Sequence, residues 1–160
     1  MRVLIVSDTH GRNDNLYKAV QNEKDLSFMV HLGDLCGLED YIEETTGIPC
    51  YAVRGNNDYA SLLPAESLIM LGKHKTLILH GHNHGVYYST RELKHYARAL
   101  GCDIVMYGHT HVPEIDLDGA VAAINPGSLT YPRQPNRRPS YIVAEIDEAG
   151  DVSFDIRYFT

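Results

Sequence analysis

Cysteine is scarce in this chain. The three present, Cys36, Cys50 and Cys102, are an odd number with no spacing that suits a metal cage. That excludes a disulfide scaffold and a sulfur-ligated structural metal, and it fits free thiols in a reducing compartment. Long apolar runs are missing as well. No stretch approaches the ~18 residues of a membrane span, and the run from Met1 to Val6 is cut off at Ser7-Asp8, too early for a signal peptide. The expected location is the cytoplasm, without membrane attachment. Basic residues are the minority: 14 Lys and Arg stand against 21 Asp and Glu, a net charge of −7 with histidine neutral. A broad nucleic-acid-binding surface is therefore not expected. Repeats, low-complexity tracts and linkers are absent too, so the 160 residues read as one domain, 1–160. A chain of this length buries roughly 70% of its unfolded surface and needs neither a disulfide nor a metal merely to fold.

Short apolar runs are what the sequence does have, and five of them end in polar residues. Val3 to Val6 lead to Asp8 and His10, Phe28 to Leu32 to Gly33-Asp34, and Tyr51 to Val53 to Gly55-Asn56. Leu77 to Leu79 lead to His80, and Ile104 to Tyr107 lead to Gly108-His109-Thr110-His111. Helical patterns separate the first three: Leu16, Ala19 and Val20, then an acidic stretch over Leu38 to Glu44 ended by Gly47-Ile48-Pro49. This βαβαβ order predicts a parallel sheet with helices on its faces.

The pattern then changes. Ser67 to Leu71 and Lys75 to Leu79 flank Gly72-Lys73-His74 as a hairpin. A helix is predicted where Leu93, Tyr96, Ala97 and Leu100 share a face, with Ser89 and Glu92 as a capping box and Gly101 as the stop. Val112 to Leu117 and Ala120 to Ile124 flank the turn Asp118-Gly119. Tyr141 to Ile146 and Val152 to Tyr158 likewise flank Ala149-Gly150. Tyr131 to Pro139, with three prolines and three arginines, reads as an exposed loop. The predicted fold class is α/β: two packed β-sheets, the first largely parallel, flanked by helices in an α/β/β/α sandwich.

Sites in open α/β sheets form beyond the carboxyl ends of the strands. Taken singly, the motifs have ordinary readings. Asp8-x-His10 is a helix cap, and Gly33-Asp34 and Gly55-Asn56-Asn57-Asp58 are turns. Gly108-His109-Thr110-His111 is more pointed, because two histidines at i and i+2 after a buried strand and a glycine seldom serve packing. Together the motifs set Asp, His, Asp, Asn, His, His and His at five strand ends of one small domain. Asp34 would stand at the centre as the bridge between two metal ions.

The joint pattern resembles the calcineurin-like metallophosphoesterase family. Its series is Asp-x-His, Gly-Asp, Gly-Asn-His-Asp/Glu, a lone His, then Gly-His-x-His. The matching residues are Asp8 and His10; Gly33 and Asp34; Gly55, Asn56 and Asp58; His80; and Gly108, His109 and His111. Asn125-Pro126-Gly127-Ser128 is similar to a segment of the small single-domain branch, the YfcE/MJ0936-like phosphodiesterases. The resemblance covers most of the chain. It implies two divalent transition-metal ions. One would be held by Asp8, His10, Asp34 and His111, the other by Asp34, Asn56, His80 and His109. Mixed oxygen and imidazole donors suit Mn, Fe, Co, Ni or Zn better than Ca, with Mn the first expectation. The reaction implied is in-line attack of a metal-bound hydroxide on phosphorus. The ions' charge exceeds that of the two aspartates and the hydroxide by about one unit, so an acidic protein can still hold a phosphate ester.

Asn57 departs from the pattern. Many family members have a histidine there, which serves as proton donor to the leaving group. Asparagine cannot do this at neutral pH, and general acid help contributes ~10²–10⁴-fold. The implied function is therefore a phosphodiesterase for small or activated diesters. His82, in His80-Gly81-His82-Asn83-His84, is read as touching substrate or replacing the missing acid, and Asn56 as touching substrate beside its metal. His84 reads as a loop residue, and His31, His74 and His95 as packing or surface residues. Two alternatives stand: a metal-stabilised protein-binding scaffold with little catalysis, and a phosphomonoesterase. The expected partner is a small phosphate ester, and homo-oligomerisation is left open.

Overall fold

Val3 and Ile5 leave one face of the first strand and Leu4 and Val6 the other, as the two-residue period of a strand requires. All four are fully buried, so this strand lies between two apolar layers. The computed structural model describes residues 1–160. In chain order its elements are β1 (Arg2–Val6), α1 (Asp14–Asn22), β2 (Leu26–His31), α2 (Ile42–Thr46), β3 (Cys50–Ala52), β4 (Glu66–Leu71), β5 (His74–Leu79), α3 (Arg91–Ala99), β6 (Ile104–Met106), β7 (Pro113–Asp116), β8 (Ala122–Pro126), β9 (Ser140–Ile146) and β10 (Val152–Tyr158).

One sheet has the order β10-β9-β1-β2-β3, with β1, β2 and β3 parallel and β9 antiparallel to β1 and β10. The other has the order β4-β5-β6-β8-β7, with β5, β6 and β8 parallel and an antiparallel strand at each edge. Val3, Ile5, Val30, Ile78, Met106 and Ile142 belong to the core between the sheets. Leu4 and Val6 pack instead with Leu16 of α1 and Ile42 of α2. Leu77 and Val105 pack with Leu93 and Ala97 of α3. The layers are the expected α/β/β/α sandwich, and parallel strands covered on both faces are the usual setting for such sheets. No helix is long and apolar enough to cross a membrane.

Several local expectations change. The acidic helix begins at Ile42 and not at Leu38, because a turn closed by Tyr41 N–H on the Leu38 carbonyl precedes it. Leu38 and Ile42 still share the core. The capping box of α3 does not form. Ser89 Oγ accepts from the N–H of Arg91 at 2.9 Å, and the N-cap Thr90 donates its hydroxyl to Asp116 on β7 at 3.1 Å. The C-terminal stop does form. Gly101, at φ +75°, donates to the Arg98 carbonyl and Cys102 to that of Ala97, a Schellman closure. Tyr131 to Pro139 carries no regular element, but it is laced internally: the buried Gln134 donates its amide to Asn136 Oδ1 and to the Arg138 carbonyl.

Candidate metal centre

Beyond the ends of β1, β2 and β6 the chain turns sharply. Asp8, His10, Asp34, His109 and His111 have φ of 55°, 49°, 57°, 67° and 59°. Left-handed backbone costs about 1–2 kcal/mol per non-glycine residue, with Asp, Asn and His its commonest occupants. Such strain gathers at functional sites. Packing holds it here: Asp8 N–H donates to the Gly33 carbonyl at 3.1 Å and His10 N–H to that of Asp34 at 2.9 Å, lacing the β1 loop to the β2 loop. Gly55, after β3, is needed for space. A Cβ there would run into Asp34 Oδ1 and lie 2.6 Å from the Asp34 nitrogen.

Asp8 and Asp34 are buried at the centre. Asp8 Oδ1 lies 3.1 Å from Nε2 of His111, 3.7 Å from that of His10 and 3.8 Å from that of His80. Asp34 Oδ2 lies 3.6 Å from His10 Nε2 and 3.5 Å from His80 Nε2. The Nε2 atoms of His10 and His111 are 3.3 Å apart. Two donor groups result, Asp8-His10-His111 and Asp8-Asp34-His80. Asp8 is common to both, and Asp34 Oδ2 faces a histidine of each.

The far nitrogens orient these rings. His80 Nδ1 donates to the Leu32 carbonyl at 2.6 Å, and His111 Nδ1 to that of Tyr131 at 2.8 Å. That fixes the tautomers and aims each Nε2 lone pair at carboxylate oxygen. Metal-binding histidines are anchored in this way. A lone pair facing a carboxylate repels it unless a cation or proton lies between. Asp8 Oδ1 and His80 Nε2 are buried without a hydrogen-bond partner, and each such orphan costs about 1–3 kcal/mol. Donor set and orphaned atoms thus fit a divalent cation. A proton on His80 would serve the same end. Burial pushes His80 down, but Asp34 and Asp8 outweigh it and the net shift is upward. Burial likewise pushes Asp34 up, yet the His80 imidazole 3.5 Å away and the hydrogen bonds from Asn57 hold it below the carboxylate range. The His109 ring, 5.2 Å from that of His80, is pushed down to about 4 by burial and by His80, and so stays neutral.

The two asparagines differ. Asn57 donates its backbone N–H to Asp34 Oδ1 at 2.9 Å and its Nδ2 to Oδ2 at 2.8 Å. Asn56 is exposed and makes no hydrogen bond to the cluster. Asp58 closes the turn, its Oδ2 accepting from the N–H groups of Gly55 and Asp34 and its Oδ1 from that of Cys36. His82 is exposed at the rim, its ring 5.6 Å from His80 and 6.1 Å from His109. His84 packs on Tyr96 at 5.3 Å instead.

Sequence reasoning missed the residues that brace the loops. His31 is fully buried. Its Nδ1 accepts from Gly33 N–H at 3.3 Å, so its Nε2 donates to Thr9 Oγ1 at 3.1 Å. Ser128 Oγ donates to the Asp8 carbonyl at 2.8 Å. Asn125 Nδ2 donates to the Gly108 carbonyl at 3.1 Å and to Thr110 Oγ1 at 2.9 Å. Asn125-Pro126-Gly127-Ser128 is thereby a brace for the β1 and β6 loops. Nothing in its local composition says so; only its likeness to a family segment marked it.

The family model of the calcineurin-like phosphoesterase superfamily domain matches residues 1–149. The chain belongs to this family. The probable metallophosphoesterase YsnB of Bacillus subtilis (strain 168) is 33% identical over 156 residues, covering 96% of this chain and 90% of YsnB. The phosphodiesterase MJ0936 of Methanocaldococcus jannaschii is 29% identical over 144 residues, covering 79% and 83%. Among solved structures, wild-type Vps29 of Entamoeba histolytica complexed with zinc is 27% identical, with a TM-score of 0.77 and 100% of both chains covered. The sandwich described above is the metallophosphoesterase fold, and its candidate metal-ligand groups lie at the strand ends.

Proposed function

We propose that residues 1–160 form one metallophosphoesterase domain, a dinuclear-metal-dependent phosphodiesterase for small or activated diesters. Asp8, His10, Asp34 and His111 would hold one ion, and Asp34, Asn56, His80 and His109 the other. Asn56 and His109 are the two donors outside the groups formed in the structure; Asn56 is exposed, and the His109 ring lies 5.2 Å from that of His80. The reading is carried by the convergence of the Nε2 atoms of His10, His80 and His111 on two buried carboxylates, with His80 and His111 anchored through Nδ1. Mn is the expected metal, with Ni, Fe, Co and Zn as alternatives on the same donors. Bound there, the ions supply Lewis acidity and an activated water.

The chain's own residues do the rest. Asn57 clamps Asp34 through two hydrogen bonds, and the His109 N–H donates to Asp8 Oδ2 at 3.2 Å. Both carboxylates are thus oriented before a ligand arrives. His82 stands at the rim where a substrate would enter. Asn57 cannot give up a proton, which favours diesters with good leaving groups over monoesters. A scaffold with little catalysis is the second reading, supported by the likeness to Vps29. The deciding experiment is metal-dependent hydrolysis of an aryl phosphodiester and an aryl monoester side by side, with elemental analysis of the same sample. Faster turnover of the diester that EDTA abolishes is expected. Bound metal without turnover of either ester would favour the scaffold, and a faster monoester would favour a monoesterase.

A further inference from the structure

Tyr131 to Pro139 is fastened to both histidines of Gly108-His109-Thr110-His111. His111 Nδ1 donates to the Tyr131 carbonyl, and Arg133 N–H donates back to the His111 carbonyl at 3.0 Å. The Arg133 side chain continues the chain of contacts. Its Nη1 donates to Tyr87 Oη at 2.6 Å, and Tyr87 Oη donates to the His109 carbonyl at 3.2 Å. The Tyr87 ring stands edge-on to the His109 ring at 4.9 Å, and the residue is 56% exposed. On the opposite flank Tyr131 lies 5.3 Å from His10, but its face is occupied by the Arg12 guanidinium at 5.5 Å. Arg133 meets Tyr87 at the hydroxyl, and no guanidinium stacks on the Tyr87 ring as Arg12 does on that of Tyr131. The Lys and Arg residues that pair with carboxylates are Arg2, Lys73, Lys94 and Arg157. Arg133 is not among them, so most of its donors are free beside the cluster.

We propose that Tyr87 and Arg133 form a substrate subsite beside His109 for a phosphodiester with a planar, ring-bearing arm. Arg133 binds a non-bridging phosphate oxygen, and Tyr87 packs against the ring of the retained arm. The proposal rests on the phosphodiesterase reading above. A guanidinium fork matches phosphate geometry, and Tyr87 holds it in place before substrate arrives, which lowers the ordering cost of binding. Aromatic rings favour offset or edge contacts with a second ring, which an alkyl arm lacks.

The test compares metal-loaded wild type, Arg133→Gln, Arg133→Lys, Tyr87→Phe and Tyr87→Ala on phenyl 4-nitrophenyl phosphate and methyl 4-nitrophenyl phosphate. The two diesters share a leaving group and differ in the retained arm. Metal content is measured for every variant; both positions are exposed, so it should not change. Arg133→Gln should raise KM for both diesters by about tenfold, the loss of one charge-assisted hydrogen bond, with kcat within about twofold. Arg133→Lys should recover part of that loss. Tyr87→Phe should raise KM in the same way, because Arg133 loses its anchor, yet keep the preference for the phenyl arm. Tyr87→Ala should abolish that preference. A wild-type KM in Arg133→Gln, or a wild-type phenyl-to-methyl ratio in Tyr87→Ala, overturns the proposal. If wild type turns over neither diester, the phosphodiesterase reading fails separately. Calorimetric binding of phenyl phosphate then decides the subsite: affinity about tenfold weaker in Arg133→Gln than in wild type supports it, and equal affinity overturns it.

Discussion

His80 is tied to Leu32 by a 2.6 Å hydrogen bond from Nδ1 to a backbone carbonyl, and the bond crosses from one sheet to the other. Leu32 directly precedes Gly33-Asp34, so the same contact that locks the imidazole also sets its distance to the Asp34 carboxylate. The candidate metal centre is therefore built where the two sheets are joined, and residues that would hold metal also hold the sheet ends together.

Occupancy of the two positions should depend on different residues. Asp34 Oδ2 faces both His10 and His80, so Asp34→Asn should lose both ions or nearly so. His111 faces Asp8 and His10 only, and His111→Ala should chiefly weaken one ion. Elemental analysis of the purified variants checks this. Full two-metal occupancy in Asp34→Asn would rule out Asp34 as the bridge.

Gly55→Ala should damage the site more than the fold. The added Cβ would meet the Asp34 carboxylate and backbone; overpacking of this kind costs about 1–3 kcal/mol, and the sandwich core lies elsewhere. Thermal melts with and without Mn²⁺ should show a modest drop in the apo protein and loss of the metal-induced rise. A wild-type response to metal would mean that Asp34 can move aside freely.

His31 should make the apo protein acid-sensitive. Burial pushes it down to about 3 despite the pull of Asp8, whereas the unfolded chain titrates near about 6.5. Between those values the unfolded state carries a proton that the folded state lacks. Stability therefore falls as pH falls through this window, by at most about 1.4 kcal/mol per unit, and the effect vanishes above it. His31→Gln removes the titration. Urea melts of both proteins at pH 7, 6 and 5 in EDTA should converge as pH drops, and parallel pH dependence would refute the assignment.

How much of this was legible depended on whether the signal was local. Strand periodicity and the glycines before Asp34 and His109 pointed to Asp8, His10, Asp34, His80, His109 and His111; the first four and His111 share the two donor groups, and the His109 ring lies beside them, 5.2 Å from that of His80. The difference between Asn56 and Asn57 was not legible, because both sit in one tight turn and only the path after Gly55 decides which amide meets Asp34. His31, Asn125 and Ser128 act through contacts spanning up to 120 positions in the chain, so nothing near them in sequence marks the role. The capping box failed because the helix starts one residue later than the pattern suggested, with Thr90 at the N-cap and its hydroxyl given to Asp116.

Asn57 is the sharpest test of mechanism. Its Nδ2 is engaged by Asp34 Oδ2, while its backbone N–H holds Asp34 Oδ1 whatever the side chain. Asn57→His therefore keeps half of the clamp and introduces a group able to donate a proton. A nitrophenolate leaves without protonation and an alkoxide does not, so wild type should hydrolyse aryl diesters far better than alkyl ones. Asn57→His should narrow that gap, with a gain on poor leaving groups that approaches ~10²-fold if no other acid acts. Asn57→Ala is the control, since it loses the same Asp34 contact without gaining an acid, and it should slow all substrates alike. If His82 already donates the proton, the Asn57→His gain should be small and His82→Ala should be the damaging change on poor leaving groups. The measurement is a leaving-group series on wild type and the three variants at saturating metal. One common leaving-group dependence in all four would mean that neither position handles the proton.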